Sequence, residues 1–91
     1  MEKIWLKGYP PGIPAEIDVN EFRSLGDLFE RSVTRFADKI AYHCMGKSIT
    51  YAELDTLSAR FGAYLQSELK LPARARVALM MPNVLQYPVA L

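Results

Sequence analysis

A chain of 91 residues is one small domain at most, and domains near this size bury only about 60 to 65% of the surface their unfolded chains expose. With 51% hydrophobic and 23% charged residues, the composition excludes a disordered or fibrous protein and calls for a packed core. The net charge is +1 with Lys and Arg dispersed, which excludes the basic stripe that neutralises a nucleic-acid backbone.

Residues 1–23 carry Gly8, Pro10, Pro11, Gly12 and Pro14 among Trp5, Tyr9 and Ile13. Proline fixes φ and removes donors, so this arm is predicted to run extended and irregular, its aromatic residues anchoring it across another surface. Pro11 and Pro14 have the bare spacing of a proline-rich ligand but lack its flanking pattern. The first seven residues also lack the apolar stretch of a secretory signal. A cytoplasmic location is the expectation.

Residues 24–91 read as helix, hairpin, helix, strand and helix, in a single unit with no linker. Ser24 and Asp27 stand in N-cap and N3 relation and open the first helix. Leu25, Leu28, Phe29, Val33, Phe36 and Ala37 recur at helical spacing and are the predicted core face. Asp38 and Lys39 close it. Ile40 to Met45 and Ser48 to Tyr51 read as two short strands joined at Gly46-Lys47.

The hairpin contains the only histidine, His43, and the only cysteine, Cys44. Adjacent strand residues point to opposite faces, so the two diverge and make neither a nucleophile pair nor a metal site. One cysteine allows no internal disulfide. Gly46-Lys47-Ser48 matches the end of a phosphate-binding P-loop, but Ala41 occupies the position of its first glycine and no helix is predicted to open at Ser48.

Thr50 and Glu53 form a capping box for the second helix, in which Leu54, Leu57, Phe61, Tyr64, Leu65 and Leu69 follow at spacings of three and four. Gly62 inside it suggests a close contact with a neighbouring element, since glycine in a helix costs about 1 kcal/mol relative to alanine. Glu53 and Asp55 do not share a helix face, so they make no acid-base pair; Glu53 is assigned to the cap and Asp55 to solvent. After Leu71-Pro72, residues Arg76 to Met81 read as an apolar strand that wants cover on both faces. Its apolar run, Val77 to Met81, is far short of the roughly 18 residues of a membrane span. Asn83 is placed as the cap of a third helix starting at Val84 and still running at Leu91.

A buried strand followed by a helix opens a βαβ unit, which needs a second parallel strand. None is available in this sequence, so the expectation is an incomplete unit that self-associates through uncovered apolar surface.

Thr50, Tyr51, Glu53 and Leu54 match a Thr/Ser-Tyr-x-Glu-Leu segment found near the N-terminus of adenylate-forming enzymes. Arg76 to Leu91 closely resembles the corresponding strand and helix of bacterial long-chain fatty acid CoA ligases. Trp5-Leu6, Tyr9-Pro10, Pro14 and Glu16-Ile17 resemble the same subfamily. One departure is Arg74-Ala75, where the family usually has Gly-Asp. The resemblance implies an α/β fold: the incomplete N-terminal part of the large domain of an adenylate-forming enzyme, with three helices, a hairpin and one buried strand.

For the complete enzyme the resemblance implies that a fatty acid and ATP, with magnesium, form acyl-AMP, and that coenzyme A displaces AMP to give the thioester. Peripheral membrane contact belongs to the same expectation. The family's phosphate loop, Thr-Glu segment, ribose-binding Asp and C-terminal lysine have no counterpart here. No catalytic, cofactor-binding or metal-binding residue is therefore assigned, and the 91-residue chain is expected to be inactive alone. The alternatives are another AMP-forming acyl or aryl-CoA ligase, or a non-catalytic module that docks onto a partner.

Overall fold

The computed structural model describes all 91 residues, Met1–Leu91. Three α-helices and one antiparallel hairpin make up its regular structure: α1 (Leu25–Phe36), β1 (Ile40–Cys44), β2 (Lys47–Thr50), α2 (Tyr51–Ser67) and α3 (Gln86–Ala90). A short 3₁₀ helix, Ile4–Gly8, precedes them. No helix is long and apolar enough to cross a membrane.

The predicted extended arm is folded back on itself. Beyond the 3₁₀ helix, Ile13 N–H donates to Pro10 O at 3.2 Å, and Gly12 has φ of 87°. These are the marks of a type II turn, in which Pro11 presets the first central residue and Gly12 supplies the positive φ of the second. Lys3 pairs with Glu16 across the loop. Trp5, Tyr9 and Ile13 stay 46%, 40% and 55% exposed, so the expected aromatic anchoring is not formed. Only the end of the arm is tied down, by Arg31, which donates to Glu21 O at 3.1 Å and lies over the Phe22 ring.

Ser24 caps α1, its Oγ accepting from Asp27 N–H at 3.1 Å. The return bond of a capping box goes one residue further out, from Arg23 N–H to the Asp27 carboxylate. Asp27 also pairs with Arg31 at 3.2 Å. Phe29, Val33, Phe36 and Ala37 are half-buried, but Leu25 and Leu28 of the predicted core face are exposed. The residue pattern creates an apolar face, and only its C-terminal half meets a partner.

The hairpin turns at Met45-Gly46, not at Gly46-Lys47. Both residues have positive φ, 51° and 80°, which defines the type I′ turn whose twist matches that of the flanking strands. The register pairs Tyr42 with Ile49, His43 with Ser48 and Cys44 with Lys47, with a bulge between Ile40 and Tyr42.

At the start of α2 every exposed N–H finds an acceptor. Thr50 Oγ1 accepts from Glu53 N–H at 3.2 Å, and the Glu53 carboxylate accepts from Thr50 N–H at 3.0 Å. Tyr51 N–H donates to Lys39 O and Ala52 N–H to Ala37 O, each at 3.0 Å. The first-turn donors that a helix cannot satisfy internally thus tie α2 to the end of α1 and the root of the hairpin. The helix ends at Ser67, two residues earlier than predicted, with Lys70 at φ 51° and Leu71 N–H closing back onto Leu65 O. No neighbouring element comes within 4 Å of where a Gly62 Cβ would stand, so the close contact expected for that glycine is absent.

Residues 76–81 form no strand. They donate and accept no backbone hydrogen bonds, because the single sheet holds only β1 and β2. Val77 and Met80 are 49% and 95% exposed, and the expected burial on both faces is missing. Helix α3 starts at Gln86 instead of Val84, and Asn83 does not cap it. Pro88 accounts for the shift: as the third helical residue its missing N–H costs nothing, whereas a start at Val84 would put it in the interior.

Ile49 and Leu54, 5% and 4% exposed, are the only buried residues. The radius of gyration is 17.6 Å, against about 12 Å for a compact domain of this length. The accessible surface is 8268 Å², against about 5,400 Å² for a compact protein of this mass. Backbone hydrogen bonds number 46, where roughly 60 to 65 are usual. The secondary structure is locally well specified, and its apolar faces are largely uncovered.

Candidate functional site

A groove of about 640 Å³ lies between β2, the first half of α2 and α3. Ile49, Leu57, Leu85 and Val89 give it an apolar floor, with Lys47, Ser48 and Gln86 on its polar side. Glu53 and Thr56 also reach it, but both are engaged: Glu53 in the cap and Thr56 Oγ1 on Ala52 O at 3.1 Å. Such a groove suits an apolar chain or side chain. Sequence reasoning did not single it out, although the spacing of Leu85 and Val89 signals an apolar helical face.

Of the chemistry-bearing residues weighed from sequence, His43 and Ser48 are brought together, whereas His43 and Cys44 diverge. His43 and Cys44 sit on opposite faces of β1, His43 sharing a hydrogen bond with Ser48 at 2.8 Å and Cys44 Sγ donating to Asn83 O at 3.6 Å. Gly46 lies in the hairpin turn and Lys47 and Ser48 in β2, so the apparent P-loop triplet is not followed by a helix. Glu53 serves the cap and Asp55 is exposed. The His43–Ser48 pair was not anticipated; it follows from a register that only the turn position fixes.

The Asp27 carboxyl is held below its ordinary pKa. The hydrogen bond from Arg23 N–H holds it down, burial opposes this in part, and the guanidinium groups of Arg31 and Arg23 add to the lowering. Its partners are those of a helix cap, remote in sequence from the groove-lining residues.

The motif at the start of α2 is accounted for atom by atom. Thr50 caps, Glu53 returns the bond, Leu54 is buried, and the Tyr51 ring packs against Phe36 with centroids 6.1 Å apart. These are structural duties. Residues 29–91 match the profile of the AMP-binding enzymes. The chain belongs to that family.

Among curated relatives, this AMP-binding family member is 52% identical over all 91 residues to a long-chain-fatty-acid--CoA ligase of Yersinia pestis. It is 47% identical over the same span to the ligase of that name from Haemophilus influenzae. In each case the match covers the whole chain and 16% of the relative. Triostin synthetase I of Streptomyces triostinicus is 37% identical over 67 residues, 74% of this chain and 12% of that protein. No solved structure matches significantly. The residues that line the groove all fall within the matched span 29–91.

Proposed function

We propose that the chain is the N-terminal structural part of an ATP-dependent long-chain fatty acid CoA ligase. The complete enzyme would join a fatty acid to coenzyme A through acyl-AMP, with release of AMP and diphosphate. What carries the reading is the 52% identity that extends over every residue to ligases of that name. In this role α1, the hairpin and α2 build a wall against which later residues of the enzyme pack. A cytoplasmic location belongs to the same proposal.

The residues present do not fit a magnesium-nucleotide site. No three His, Cys, Asp or Glu side chains converge, and adenylation needs preorganised cations and backbone donors around the phosphates. No step of the reaction is routed through this chain, and we assign it no catalytic residue.

The test has two stages. The coding DNA beyond the Leu91 codon should continue in frame into a glycine-rich phosphate loop, and an immediate stop codon would defeat the reading. The protein encoded by the whole frame should then form acyl-CoA with a preference for long-chain over short or aryl acids. Preference for short or aryl acids would point to another AMP-forming ligase.

A further inference from the structure

We draw no further inference here: the strongest candidate, the apolar groove between β2, α2 and α3, is an unpartnered face, and nothing in the structure shows what covers it in a chain that spans 16% of the relatives it matches.

Discussion

The N–H of Ala52 donates to the carbonyl of Ala37 at 3.0 Å, joining the first turn of α2 to the end of α1. Next to it Tyr51 N–H reaches Lys39 O, and the Thr50–Glu53 pair satisfies the remaining first-turn donors. The cap is therefore also a tertiary joint. Thr50→Ala should cost about 1 to 2 kcal/mol, and Glu53→Gln should cost less because an amide oxygen can still accept from Thr50 N–H. Thermal unfolding of the two variants gives the comparison, and equal losses would contradict the reciprocal bonding.

Leu54 and Ile49 are 4% and 5% exposed and constitute the buried core. In a chain with so few covered residues, Leu54→Ala should cost about 2 to 4 kcal/mol, a large share of the whole stability of a small domain. Leu57→Ala, one turn further on and 41% exposed, should cost well under half as much. Urea titration of both variants checks the ranking. A similar midpoint shift in each would mean that the groove side of α2 is covered in solution.

The stability should respond to acid through Asp27. Its pKa is lowered in the folded chain, so its contribution is complete above the unfolded value near 3.9 and is lost as pH falls through the lower folded value. Asp27→Asn should lower the melting temperature at neutral pH, and the gap should close in strong acid. Melting curves of the two proteins across that range decide the matter. A gap that persists when the carboxyl is protonated would assign the loss to geometry instead of charge.

These residues also show what the sequence could and could not convey. Capping is local, and the Ser24 and Thr50 starts were legible because a hydroxyl three residues before an acid is itself the mechanism. The divergence of His43 and Cys44 was equally local, a consequence of strand geometry. The absent 76–81 strand was not legible as such, since apolar composition specifies adhesiveness and not the partner that a ladder requires. The cap signal of Asn83 does not set the start of α3, because a helix opening at Val84 would carry Pro88 in its interior. The turn at Met45-Gly46 was shifted by one residue because methionine gives no hint that it can adopt positive φ. The groove depends on the packing of α3 against α2, which no periodicity reports.

Gly62 is an interior residue of α2, and open space surrounds the position of its missing Cβ. With no close approach to preserve, Gly62→Ala should stabilise the chain by about 1 kcal/mol through helix propensity alone. The rise should appear in thermal unfolding without any change in the spectrum of the folded state. A loss of stability would reveal a neighbour at that face, as a dimer or a further domain would supply.

Arg74 has φ of 67° in a turn closed by Ala75 N–H on Pro72 O at 3.1 Å. A side chain there meets the steric cost of left-handed backbone, which glycine avoids. Arg74→Gly should therefore stabilise the chain by about 0.5 to 1 kcal/mol, after allowance for the greater freedom glycine gives the unfolded state. Arg74→Ala separates the two contributions, because it removes the guanidinium and keeps the Cβ. Stabilisation by glycine but not alanine in chemical denaturation assigns the effect to the backbone. Equal behaviour of the two variants would mean that the turn in solution does not hold residue 74 at positive φ.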